Sequence, residues 1–251
     1  MRRSVILAVS AVLALSPFAA VAQTGPQPAA FTAALADSVR TPGDRARDEV
    51  RHPAETLAFA EVEPGQKVVD MIIGGGYFTR TFSAAVGPEG HVTAWQPEQF
   101  VAFDPGYGAA LMEVDALVNV EGLRTPIGEP GFPSGQDLIF TAQNYHDLHL
   151  RPFPADTASR VNAAAFAALK PGGLYVIIDH NAVAGSDLAV ADDLHRIDIE
   201  TVKREVEAAG FVLDGQSDLL ANTTDPLTAN VFDDSIRGHT SQFMLRFKKP
   251  E

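Results

Sequence analysis

From about residue 52 to its end the chain alternates short apolar stretches, bounded by turn residues, with longer stretches of helical spacing. That alternation restricts it to an α/β architecture, a mainly parallel sheet with helices on both faces. Strands are expected at 67–72, 91–95, 118–123, 137–142, 174–179, 211–218 and 242–247, and helices between them at 77–86, 107–114, 157–169 and 199–209. The turn Lys170-Pro171-Gly172-Gly173 stops the third of these helices and launches a continuously apolar run, as a buried central strand requires. A long polar connection without period, 221–240, joins the last two strands; connections of that length are usually mobile or functional.

The first 22 residues read differently. Arg2 and Arg3 precede an apolar run, Pro17 breaks it, and Ala20-Val21-Ala22 ends it. This is the pattern of a secretory leader, too short and too broken for a membrane anchor. The expected organisation is therefore a signal peptide at 1–22, a spacer and extension at 23–52 lying over the domain, and one domain at 53–251 that opens with a helix at His52-Pro53. Export by the general secretory route, to a periplasmic or secreted location without a lasting membrane anchor, follows from that reading. The chain carries 19 Lys and Arg against 32 Asp and Glu, a net charge of −13, and loss of the leader arginines widens the acidic excess. Such a field repels phosphate backbones and disfavours nucleic acid as a partner. With no cysteine, disulfides, thiolate metal sites and a Cys nucleophile are excluded.

The strongest local motif is Val68-Val69-Asp70-Met71-Ile72-Ile73-Gly74-Gly75-Gly76-Tyr77-Phe78-Thr79: an apolar strand ending in an acid, a glycine turn, then a helix. Glycines there let backbone approach a ligand, and the helix start offers free N–H groups. In open α/β sheets ligands bind outside the carboxyl ends of such strands. A dinucleotide site fits poorly, because the position about 20 residues on, where an acid would hold the ribose, is Gln96 and the third glycine of the fingerprint is Thr79. No Lys-Ser or Lys-Thr follows the glycines, so a P-loop is absent.

In this order the signals resemble a class I S-adenosylmethionine-dependent methyltransferase: the acid and glycine turn, Asp137-Leu138-Ile139-Phe140, Leu169-Lys170-Pro171-Gly172-Gly173, and Glu207-Ala208-Ala209-Gly210-Phe211 before a closing hairpin. More narrowly the chain is similar to a family of exported methyltransferases marked by Gly74–Thr79, Asn144–Leu148, Asp179-His180 and Leu194–Asp198. The resemblance implies a Rossmann-like, seven-stranded sheet whose last strand is antiparallel. It implies S-adenosylmethionine as cofactor, held by Asp70, Gly74, Gly75, Gly76, Gln96 and Asn144, and a small-molecule methyl acceptor. Two positions depart from the superfamily pattern. Ile72 stands where a glycine is usual, and a β-branched residue resists positive φ; Gln96 stands where an acid binds the ribose.

A second constellation gathers His146, Asp147, His149, Asp179, His180, His195, Arg196 and Asp198 near the ends of the fourth and fifth strands and the start of the next helix. Histidine moves protons near neutral pH, and an adjacent carboxylate orients it. The expected general base is His146 or His180, oriented by Asp147 or Asp179, with Tyr145 closing the pocket. His149 is expected to be exposed, Asp198 to cap the helix at Ile199 and Arg196 to pair with it, and Arg237 and His239 to lie in a covering lid or a solvated loop. Imidazole and carboxylate also suit zinc or iron, but the spacing fixes no ligand geometry, and no metal is assigned. The rival expectation is a non-methylating protein on the same scaffold, using this crevice for ligand binding or for metal- or histidine-assisted catalysis.

Overall fold

The computed structural model describes residues 25–251; the leader expected over 1–22 lies outside them. A 3-10 turn (Pro28–Phe31) leads into three short helices, α1 (Thr32–Ala36), α2 (Pro42–Arg45) and α3 (Asp48–Arg51), before α4 (Pro53–Phe59). Then come β1 (Lys67–Met71), α5 (Tyr77–Val86), β2 (His91–Trp95), α6 (Glu98–Phe103), α7 (Pro105–Asp115), β3 (Val120–Leu123) and β4 (Gln136–Ala142). The second half holds a 3-10 turn (His146–His149), α8 (Thr157–Ala168), β5 (Leu169–His180), α9 (Ala189–Leu194), α10 (Ile199–Ala208), β6 (Val212–Ser217) and β7 (Gln242–Lys248).

The seven strands form one sheet in the order β3-β2-β1-β4-β5-β7-β6. β1 to β5 run parallel, and β7 lies antiparallel between β5 and β6. Alternation along each strand feeds two cores. Val68, Val92, Leu138, Val176 and Met244 meet α4, α5 and α7 on one face; Val69, Ile139, Tyr175, Ile177 and Leu245 meet α8 and α10 on the other. The order reverses at β1 and β4, which opens a crevice beyond their carboxyl ends.

All seven strands and the four helices expected in the sequence are present, with shifted ends. Three features add to that expectation or differ from it. Within the segment read as an extension, Thr41–Asp44 starts α2, closed by a capping box in which Thr41 and Asp44 exchange side-chain and backbone hydrogen bonds. α6 and α9 are too short, at six residues each, for a helical period to show. β5 begins at Leu169 rather than 174, because Lys170–Gly173 runs alongside the chain end, where Gly172 donates to Lys249 and Lys249 to Gly173.

Residues 28–52 pack onto the sheet through α5. Phe31 is buried in the core. The Arg80 guanidinium on α5 makes a two-pronged pair with Asp44 at 2.6 and 2.8 Å, and the Tyr77 hydroxyl donates to Asp48 at 2.7 Å. Among the described residues no helix is long and apolar enough to cross a membrane.

Candidate functional site

A cavity of about 1110 Å³ fills the crevice, at the upper end of ligand-pocket sizes. Its floor is the turn after β1. Ile72 stands there at φ 56°, a conformation suited to glycine. Hydrogen bonds hold the turn: Ile72 and Ile73 donate to the Trp95 carbonyl at 2.7 and 3.2 Å, Gly76 donates to the Ile73 carbonyl at 2.8 Å, the Ile72 carbonyl accepts from Asn144 at 3.0 Å, and Gly74 donates to the Gln96 side chain at 3.1 Å. Gln143 after β4 and His195 before α10 also have positive φ, 67° and 54°, and both line the cavity. Backbone strain gathers where a site demands it.

Asp70, Gly74, Gly75 and Asn144 face the cavity as expected. A Cβ built on Gly74 or Gly75 would meet nothing within 4 Å, so the cradle opens to space that a ligand could fill. Asp70 is 3% exposed, and among the described residues its only side-chain hydrogen-bond partner is the Thr79 hydroxyl at 2.6 Å. Burial without a full counter-ion pushes its carboxyl up to about 7.

Three expected residues do not line the cavity. Gly76 caps α5 at φ 76°, and its missing Cβ is required by Val114, 2.6 Å from where that atom would stand. Gln96 is fully buried and turned back onto the glycine turn, with Nε2 unpartnered. Tyr145 does not close the pocket: its hydroxyl donates to Glu205 at 2.9 Å and accepts from Asn162 at 2.8 Å, between α8 and α10. The 3-10 turn it precedes sends successive side chains in different directions, and His146 and Asp147 take the cavity side.

His146 and Asp179 form the tightest pair. Asp179, fully buried at the end of β5, accepts from the His146 backbone at 2.7 Å, from its Nδ1 at 2.8 Å and from the His180 backbone at 2.7 Å. Burial opposes the charge on His146, but Asp179 and Asp147 outweigh it and lift the imidazole to about 9. His146 therefore holds its proton at neutral pH and does not suit the base role. His180 is the reverse case: burial pushes it down to about 4, and its Nδ1 lies 2.7 Å from the Thr240 hydroxyl. No described residue hydrogen-bonds its Nε2.

Other expectations are corrected. The His149 side chain is 6% exposed and pairs with Glu205 at 3.1 Å. Arg196 pairs not with Asp198 but with Asp225, through two contacts of 2.9 and 3.0 Å inside the protein. Asp198 does cap α10, accepting from Glu200. The 221–240 connection reaches the cavity through Val231 and Phe232, while Arg237 and His239 are exposed, in line with the solvated-loop alternative and not with the lid.

The sequence reading missed Arg47 and Arg51, which line the cavity from the extension. Both guanidinium groups sit over the Tyr77 ring, Arg51 at 4.7 Å, and Arg51 donates to Gln143 at 2.8 Å. Burial and the neighbouring Arg47 charge lower Arg51 to about 10. Their spacing of four residues, one helical turn apart, was the available signal. Phe100 and Ile127, from the segments after β2 and β3, supply an apolar wall.

No family model matches this chain. An uncharacterized methyltransferase of Synechocystis sp. is 30% identical over 133 residues, 51% of this chain and 51% of its own length. The chain thus spans about half the length of the curated relative it matches. Among solved structures, a SAM-dependent methyltransferase from Aquifex aeolicus superposes with a TM-score of 0.58 at 18% identity, over 88% of this chain and 98% of its own. The N-methyltransferase NodS from Bradyrhizobium japonicum gives 0.56 at 14% identity, over 84% and 98%. At such identities the likeness is one of fold, and the fold is that of the class I methyltransferases.

Proposed function

We propose that the protein is an S-adenosylmethionine-dependent methyltransferase acting on a small molecule. The observation that carries this reading is the glycine cradle, open at Gly74 and Gly75, facing a cavity at the strand ends with a buried acid on its wall. The methyltransferase fold and the partial relative support it. The residues present fit the cofactor's ionic end. Asp70, which pairs with no cation among the described residues, would hold the ammonium, while Arg47 and Arg51 would hold the carboxylate. Phe100 and Ile127 would cover the base. Gln96 offers no hand to the ribose, which is where this site departs from the common pattern.

When bound, the cofactor supplies an electrophilic methyl group on a sulfonium. The protein's own part is positioning and proton removal, and methyl transfer needs little more than alignment and a desolvated acceptor. His180 remains neutral at pH 7, so its Nε2 would take the acceptor's proton while Thr240 fixes the ring. Val231 and Phe232 shield the cavity from water. The leader read in residues 1–22 makes this an activity outside the cytoplasm, a part of the proposal that the mass of the mature protein would test.

The experiment is calorimetric titration of the protein from Gln23 onward with S-adenosylmethionine and S-adenosylhomocysteine, alongside Gly75→Leu. Gly75 has no positive φ, and its Cβ would meet open space, so the variant should fold with an unchanged melting temperature while its side chain fills the cradle. Micromolar binding, weakened at least tenfold in the variant, is expected. Absence of binding at millimolar cofactor, or equal binding by both proteins, would sink the reading.

A further inference from the structure

In the cavity that the glycine cradle also lines, three side chains from two separate segments bring their donor atoms close together. His146 Nε2 lies 3.3 Å from Asp147 Oδ1 and 3.3 Å from His195 Nδ1, and the last two atoms are 4.0 Å apart. Among the described residues no other trio of histidine and carboxylate groups converges so closely. A tetrahedral ion with bonds of about 2.0–2.1 Å to nitrogen and oxygen places its ligand atoms roughly 3.4 Å apart. Two of the three separations already have that value, and a small turn of the Asp147 carboxylate would supply the third. We propose that His146, Asp147 and His195 form a binding site for a divalent first-row transition metal ion of the zinc or iron class, with its remaining coordination position open to the cavity.

Three further observations support the site. First, His146 is oriented as metal-bound histidines usually are: Nδ1 donates to the Asp179 carboxylate at 2.8 Å, so Nε2 is the nitrogen that faces the ion, which binds there by displacing the Nε2 proton. Asp179 is itself fixed by two backbone N–H groups. Second, the Asp147 side chain is 11% exposed, yet its carboxylate accepts no hydrogen bond within normal limits from any described residue. Its charged neighbour is the His146 imidazole at 3.3 Å, and a divalent cation between the carboxylate and the two imidazoles would replace that single proton with a stronger charge partner. Third, His195 is held at φ 54°, a strained conformation for histidine, and its ring packs edge-on against both His146 and Phe232. The backbone is bent to bring that ring to this place.

The donor set selects the metal class. Two imidazoles and one carboxylate suit zinc, iron and their neighbours, whereas magnesium and calcium prefer oxygen alone. Three protein ligands with an open fourth position make a reactive rather than a structural site. The position faces the same cavity as Gly74 and Gly75, so an acceptor's oxygen or nitrogen would bind there and lose its proton more readily. That last consequence rests on the methyltransferase reading; metal binding itself does not.

The test uses the mature protein stripped with a chelator and titrated calorimetrically with zinc alone, without any cofactor, followed by cobalt loading and visible spectroscopy. One zinc per chain is expected, with affinity at least 100-fold weaker in His195→Asn and in Asp147→Asn. Asparagine tolerates positive φ, so His195→Asn keeps the backbone and its melting temperature should confirm folding. Asp179→Asn, which changes the carboxylate behind His146 without removing a ligand, should weaken binding by about 10–100-fold. His149→Gln, at a buried histidine outside the trio, should change nothing. The cobalt form should show ligand-field bands that fade in His195→Asn. Failure to bind zinc at millimolar concentration would overturn the proposal, as would undiminished binding by folded His195→Asn and Asp147→Asn, which would mark the ion as adventitious. Either failure would leave the separate cofactor titration untouched.

Discussion

At the scale of single residues the site is governed by side chains held where they are unfavourable. Ile72 is the clearest case. At φ 56° its Cβ costs about 1–2 kcal/mol, while its buried side chain belongs to the core cluster that also holds Met71, Trp95 and Ile139. Ile72→Gly and Ile72→Ala lose the same packing, but only alanine retains the Cβ penalty. The glycine variant should therefore be the more stable of the two by about 1 kcal/mol, the reverse of their usual order, and urea unfolding would show it; alanine ahead of glycine would mean that the turn is not strained. Asp70 gives a pH signature. Its folded value, about 7, lies above the ordinary 3.8, so the folded state holds the extra proton between them. The wild type should lose stability relative to Asp70→Asn as pH rises from 4 to 7, by a few kcal/mol, and a gap that stays constant across unfolding curves at pH 4, 5.5 and 7 would refute the shift. The departure at Ile72 was visible in the sequence, because isoleucine occupies a glycine position. The directions taken by Gln96 and Tyr145 were not, since a rotation at one residue decides which side of a strand end a side chain serves and no spacing encodes it.

At the scale of elements, what could be read in the sequence was what repeats. Strands bounded by turns and helices of ten residues or more carry their own period, and those positions agree with the structure to within a few residues. α6 and α9 complete fewer than two turns and show no period; of the still shorter α1 to α3, only α1 falls within a helical pattern in the sequence, the one read over 31–39. The short pieces nevertheless build the cavity: α3 carries Arg51, and α6 carries Gln99 and Phe100. They hold their places through polar contacts rather than amphipathic faces. The Asp44–Arg80 pair is the main one, with both partners less than a tenth exposed. Removing one member of such a pair leaves the other buried and uncompensated, at about 3–5 kcal/mol. Asp44→Ala should therefore speed hydrogen exchange over residues 28–52 while the amides of β1, β4 and β5 keep their protection. Exchange that rises evenly through the sheet would show that the extension does not open as a separate unit.

At the scale of the whole molecule, the cavity is closed by segments far apart along the chain. Arg47 and Arg51 come before β1, Val231 and Phe232 from between β6 and β7, and the sheet contributes the floor between them. Each outer segment is tied down by one buried ion pair, Asp44 with Arg80 on one side and Arg196 with Asp225 on the other. Neither pair touches the cavity, so the walls are positioned from behind and their inner faces stay free for a ligand. A ligand that bridges cradle and walls must then stabilise both segments together. If S-adenosylmethionine is that ligand, a concentration 100 times its Kd should add about 2.7 kcal/mol, or roughly 5–10 °C in Tm for a chain of this size. Hydrogen exchange should slow at 45–52 and at 229–234 in the same titration, and neither segment should respond in Gly75→Leu. Protection confined to one segment would mean that the ligand occupies half the cavity, and a rise in Tm without protection of either would place it elsewhere on the protein.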